Sequence, residues 1–142
     1  MIDLKDITRR TWEQMLPSAD ISALASVIAA DCINHDTPPG VAQGLEGIGQ
    51  TVRMLQAAFS DQRYEVHHVV QDGDMVVIHA TLHARHTGPF MGIRPTGRDV
   101  ALRSIHLIRY RDGREVETWA IQDRMGLRQQ LGVVPGGMPA GG

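Results

Sequence analysis

The sequence predicts one α+β domain, a cone-shaped barrel in which a curved antiparallel β-sheet packs against N-terminal helices and encloses a pocket. Three observations predict it. Apolar residues recur at helical steps as far as Phe59, and from residue 63 to 122 they alternate at strand spacing. Two tight-turn signals, Asp72-Gly73-Asp74 and Asp112-Gly113, join successive strands. Helices first and strands afterwards put the helices on one face of an antiparallel sheet, and the hollow between them is where small-molecule sites form.

Each element has a local reason. Residues 3–16 carry Leu4, Ile7, Thr8, Trp12, Met15 and Leu16 near helical spacing, and Pro17 and Ser18 end the run. Asp20 reads as the N-cap of a short helix bearing Ile21, Leu24, Val27 and Ile28. A brief strand is expected from Asp31 to Asn34, followed by the loop HDTPPGVAQ, where Pro38, Pro39 and Gly40 continue neither helix nor central strand. Leu45, Ile48, Val52, Leu55 and Phe59 keep steps of three and four, the pattern of a helix with one buried face. Strands follow at 63–71, 75–87, 99–111 and 114–122, rich in Val, Ile, Thr and Tyr, with the looser GPFMGIRPTG joining the middle two. Asp123 opens a last helix, RMGLRQQL. The expected domain is 1–132, with 133–142 as a Gly/Pro-rich flexible tail.

Composition narrows the function. A length of 142 residues, 42% hydrophobic and 21% charged, fits one globular core and neither disorder nor a bilayer span. The start MIDLKDITRR lacks a signal peptide's apolar segment, so a cytoplasmic location is expected. The net charge of -2 and the scattered basic residues argue against nucleic acid as a partner. The lone Cys32 excludes an internal disulfide and a multi-cysteine metal site, and is expected to be a buried thiol. Gly44, Gly47 and Gly49 stand in the order G-x-x-G-x-G with no buried strand before them, which is not a phosphate loop. His79 and His83 share the strand face opposite His86, which is not a helical metal pair, so no metal is expected. No nucleophile elbow, P-loop or cofactor fingerprint occurs, leaving side-chain acid/base chemistry.

Asp123, at the end of a strand apolar at Val116, Trp119 and Ile121, has two readings. A carboxyl buried without a cationic partner has a raised pKa and serves as a proton acceptor and donor, whereas the N-cap of a helix does the opposite. His106 and Ser104 share one face of the strand SIHLIRY; an imidazole there is either a satisfied structural group or a site residue. His86 stands where Gly88 and Pro89 end a strand, as a rim residue or a ligand contact. Asn34 and His35 stand at a strand end where they reach a pocket mouth, and Trp12, Trp119, Met54 and Phe59 are candidates to line a pocket for a flat apolar ligand or to pack the core.

The landmarks NHDTPPG, FSD, DGD, HARHTGPFMGIRPTG, SIHLIRYRDG and QDRMGLRQQLG, in that order across residues 5–132, resemble the SnoaL-like polyketide cyclase family. The resemblance implies the cone-shaped α+β barrel shared with ketosteroid isomerase and nuclear transport factor two. It implies an acid/base at Asp123, a pocket histidine at His106, a polar contact at Asn34 and a further histidine at His86. Where the cyclases carry an aromatic hydroxyl near the first helix, this chain has Trp12. The activity implied is cofactor-independent aldol ring closure of a polyketide ester on a small hydrophobic substrate, in a homo-oligomer, dimer or tetramer. The alternatives are a hydroxylase, isomerase or dehydratase in the same pocket, or a small-molecule-binding domain without catalysis.

Overall fold

The computed structural model describes residues 2–133. The expected tail therefore lies, from residue 134 onward, outside the described residues. Helix α1 (Leu4–Arg10) starts where the Asp3 carboxylate accepts the amide of Asp6, and it runs straight into a π-helical turn, Thr11–Met15, closed when the Leu16 amide donates to the Thr11 carbonyl. The short α2 (Leu16–Ser18) ends at Ala19 in the left-handed conformation, and α3 (Ile21–Ala25) is capped by Asp20 as expected. Strand β1 (Ile28–Asn34), α4 (Gly44–Ala58), β2 (Phe59–Asp72), β3 (Met75–His86), β4 (Asp99–Arg111), β5 (Arg114–Gln122) and α5 (Arg124–Gln130) complete the order.

The five strands form one sheet in the order β1-β5-β4-β3-β2. The hairpins β2–β3 and β4–β5 turn at the two Asp-Gly sites, and β3–β4 is antiparallel as well. The expectation of a wholly antiparallel sheet is corrected at one edge, because β1 runs parallel to β5. The helix α4 lies between β1 and the hairpins, so β1 reaches the sheet through a crossover and not a tight turn. Strand β2 begins four residues before the expected start. Asp61 at φ 54° and a register shift between Ser60 and Arg63 interrupt the alternation there.

Pairing of Ile78 with His106, and of His106 with Ala120, fixes which side of each strand faces the helices. On that side Val76, Ile78, Ala80, Ile108 and Tyr110 pack with Trp12, while Leu24, Val27, Ile28, Cys32 and Val52 join the helices to β1. Cys32 is buried as expected, and burial pushes its thiol up to about 12, so it stays protonated. Ala58, Phe59, Ala84, Val100, Leu127 and Leu131 close the far end beneath α5. Among the described residues no helix is long and apolar enough to cross a membrane.

Candidate active site

Between the sheet and the helices lies a cavity of about 150 Å³. Thr11, Trp12 and Leu16 form one wall, and Ile48, Thr51, Val52 and Leu55 of α4 form the second. The floor is the sheet: Ile28 and Asn34 from β1, Gln62 and Tyr64 from β2, His106 and Ile108 from β4, and Glu115, Thr118 and Gln122 from β5. Apolar groups dominate the walls, and uncharged hydrogen-bonding groups converge from the floor, the arrangement that binds and orients a small organic molecule.

The helical wall depends on the π-turn. In an α-helix neighbouring residues diverge by about 100°, yet Thr11 and Trp12 both line the cavity here. The extra residue in the turn Thr11–Met15 widens the arc that faces inward, and such turns recur at functional sites. The Trp12 indole meets the His106 ring edge-on, with centroids 5.1 Å apart. Burial drives the His106 pKa down to about 4 against a partial opposing pull from the Asp36 carboxylate, so the imidazole is neutral at pH 7. The Tyr64 phenol, projecting from the opposite side of the floor, is pushed up to about 12 by burial.

Glu115 is the carboxyl group in this cavity, and the sequence gives no hint of it. Arg109 pairs with Glu117 and the next residue, Tyr110, pairs with Glu115, so β5 carries one extra residue, Val116, against β4. Simple alternation would send Glu115 outward with Glu117 and Trp119. The bulge turns it inward, onto the side of Thr118, Ala120 and Gln122. Glu115 is 3% exposed, and its Oε2 has no hydrogen-bond partner among the described residues. Burial raises its pKa to about 8.

Asp123 takes the other reading. Its carboxylate accepts the Gly126 amide at 2.9 Å, capping α5, and pairs with the Arg103 guanidinium at 3.3 Å. Those two contacts, the cap first, hold its pKa below the usual carboxylate value, and the side chain is 39% exposed. The expectation of Asp123 in a dry hollow is therefore corrected. Trp119 and Ile121 belong to the outer face of β5, and Asp123 follows their phase and not that of Gln122.

Of the other candidates, Trp12, Asn34 and His106 meet at the cavity. Asn34 is oriented there, its Oδ1 accepting the Asp36 amide while its backbone N–H donates to Gln43. His35 is directed elsewhere: it stacks on Trp119 at 4.8 Å and bonds Glu117 at 2.7 Å, so neither His35 nor Trp119 lines the hollow. Ser104 is buried on the inner face of β4 but beyond the cavity lining, and Met54 is exposed on the far side of α4. Phe59 packs in the far-end core against Phe90 and His86. His86 is fully buried instead of standing at the rim, and its Nδ1 is held by the amide and hydroxyl of Thr96, which pins the loop between β3 and β4.

The family model described as SnoaL-like polyketide cyclase matches residues 6–131. The nogalonic acid methyl ester cyclase of Streptomyces nogalater is 32% identical over 96 residues, covering 66% of this chain and 70% of that protein. The aklanonic acid methyl ester cyclase of Streptomyces peucetius is 34% identical over 93 residues, 63% of each chain. The crystal structure of wild-type IdmH from Streptomyces antibioticus superposes with a TM-score of 0.81 at 32% identity, covering 93% of this chain and all of that one.

Proposed function

Since the chain belongs to the SnoaL-like polyketide cyclase family, we propose that it closes a carbocyclic ring in a polyketide methyl ester by intramolecular aldol addition. The reaction redistributes one proton within one molecule and changes no oxidation state, so side chains suffice and no cofactor is called for. The observation that carries this reading is a mainly apolar hollow into which neutral hydrogen-bonding groups project, with His106 kept uncharged against Trp12. Such a site favours a carbonyl-rich, uncharged ligand over an anion. A neutral imidazole that hydrogen-bonds the oxygen where charge gathers stabilises an enolate more than the ketone from which it forms. Asn34 orients that same group.

The volume narrows the substrate. A cavity of about 150 Å³ is known to hold one benzene ring, and the hollow here is of that size. It encloses the ring being closed while the remainder of the chain extends through the mouth. Holding a flexible chain near its reactive geometry supplies part of the acceleration.

The test is incubation with nogalonic acid methyl ester, followed by chromatography and mass spectrometry. The expected product is an isomer of unchanged mass, and His106→Leu is expected to lower kcat about 10²-fold. No ring closure, or a His106→Leu protein as fast as wild type, would sink the reading; a product heavier by one oxygen would favour hydroxylation. We further propose a cytoplasmic homodimer or tetramer assembled through the outer sheet face, where Ile105, Leu107 and Ile121 are exposed. Light scattering is expected to give a multiple of the 15.6 kDa chain mass, and a monomer mass would remove that pairing.

A further inference from the structure

We propose that the Glu115 carboxyl selects the substrate at the closed end of the cavity, donating a hydrogen bond to a carbonyl oxygen on the side of the enclosed ring away from His106. The proposal rests on the cyclase reading above and narrows its substrate to a ring that carries oxygen at both ends. Glu115 binds and orients; it takes no part in the proton transfers. Three structural observations carry the assignment. Glu115 lines the same cavity as His106 and Trp12. Its backbone is fixed from both sides, the amide donating to the Val27 carbonyl at 2.8 Å and the residue pairing with Ile28 on β1 and Tyr110 on β4. Its Oε2 is buried and, among the described residues, without a hydrogen-bond partner. Buried polar atoms are normally paired within the protein, so a carboxyl left open in a cavity wall marks where a ligand atom completes the pairing.

Position along the sheet separates the two polar ends. Val27, Ile28 and Tyr110 beside Glu115 are buried, whereas Asn34, Gln62, Thr118 and Gln122 are partly exposed, so the hollow is closed at Glu115 and opens past Asn34 and Gln122. His106 and Tyr110 stand four residues apart on β4, which sets Glu115 about 13 Å along the sheet from His106. A ring with an oxygen at each end spans part of that distance, and the two side chains cover the rest. The surroundings fix the sense of the hydrogen bond. Cys32 of β1, Tyr64 of β2, and His106 and Tyr110 of β4 are the titratable groups facing this region, and all are neutral near pH 7; the helices add Thr8, Thr11 and Trp12, none of which titrates. The Tyr110 hydroxyl is committed to Thr8 at 2.6 Å. The cavity lining includes no Lys or Arg, so no cation holds Glu115 ionised. Burial brings its pKa to about 8, so at pH 7 most of the carboxyl carries its proton and donates it.

The consequence is selection among rings of equal size. A carbonyl at that depth satisfies the buried carboxyl, whereas a ring ending in a methylene seals it in unpaired, and a pocket built to pair with a polar ligand atom discriminates against an analogue that lacks it. Trp12 and the apolar helical walls accept either ring, so the choice falls to the floor.

The experiment compares two flat bicycles that differ by one carbonyl, 1-indanone and indane, with affinities read by NMR titration. Glu115→Leu is expected to shift the ratio of the two affinities about tenfold toward indane. Glu115→Gln, whose amide still donates, is expected to keep the wild-type ratio within a few-fold. Raising the pH from 7 to 9 removes the Glu115 proton, so the wild-type ratio is expected to move as it does in Glu115→Leu, while both variants stay unmoved. On nogalonic acid methyl ester, Glu115→Leu is expected to raise KM about tenfold with kcat little changed. An unchanged ratio in Glu115→Leu overturns the proposal, as does wild type that binds neither bicycle, and a fall in kcat at constant KM overturns it by placing Glu115 in the chemistry. Wild type that shows the indanone shift yet closes no ester upholds the carbonyl site and ends the cyclase reading. Should Glu115→Leu fail to fold, a wild-type ratio that does not move between pH 7 and 9 overturns the proposal.

Discussion

Raising the pH from 6.5 to 8 is expected to lower the unfolding free energy through Glu115 by about 2 kcal/mol, a decline that Glu115→Gln should lack. The carboxyl's pKa is raised from 4.5 to about 8 in the folded protein. Above pH 4.5 the unfolded chain has released this proton while the folded chain keeps it, so stability falls as pH climbs and levels off above about 8. His106 works in the opposite sense. Its folded pKa is lowered to about 4 from 6.5, so the folded chain holds fewer protons in that interval and stability rises with pH up to about 6.5. Between 4.5 and 6.5 the two slopes largely offset each other. Above 6.5 Glu115 acts alone, which makes that window the place to look. Thermal unfolding of both proteins at pH 6.5 and 8 measures it, and identical shifts in the two would mean that Glu115 is not buried as described.

Gly44→Ala is expected to destabilise the protein by about 2–5 kcal/mol, combining a left-handed backbone that disfavours any side chain with a collision that backbone must relieve. Gly44 has φ 73°, and a Cβ there would strike the carbonyl oxygen of Ala30 and come within 3.2 Å of its carbonyl carbon. The start of α4 is thus seated directly on β1. Ile48, Thr51, Val52 and Leu55 follow on that helix, so the same change displaces a wall of the cavity and should weaken substrate binding. Gly40→Ala is the control: φ is 83° but nothing lies within 4 Å, and only the conformational cost of roughly 1–2 kcal/mol remains. Urea unfolding of the two variants separates the terms, and equal losses would show that the helix does not rest on Ala30.

The fold was legible because its signals are local. Alternation from Met75 to Gln122 and the Asp-Gly turns state two hairpins outright, and the three-and-four spacing of α4 identifies its inward stripe, from which Met54 is absent. The parallel edge was not legible, since β1 is short and its partner lies more than 80 residues away. For the cavity lining, Trp12, Asn34 and His106 were readable and Glu115 was not. A bulge has no period, so nothing in REVETW announces that the phase changes at Val116. The exposure of Asp123 was not legible for a related reason. Trp119 and Ile121 make an apolar row on the outer face of β5, and in sequence such a row looks like a core. Its phase relative to His106 shows that it is not, but that relation requires the register between two strands.

The turn at Thr11–Met15 has an evolutionary consequence. Deleting one residue from it would restore the ordinary i→i+4 winding while the helix on either side keeps nearly its present facing, because the π-turn spends one extra residue on a single turn. The neighbours Thr11 and Trp12, which both face the hollow now, would diverge by about 100°, and one of them would leave it without a substitution anywhere. Descendants of such a scaffold can therefore exchange an aromatic lid for a different group through a single codon gained or lost, a route to new substrates that comparison of aligned columns alone would overlook.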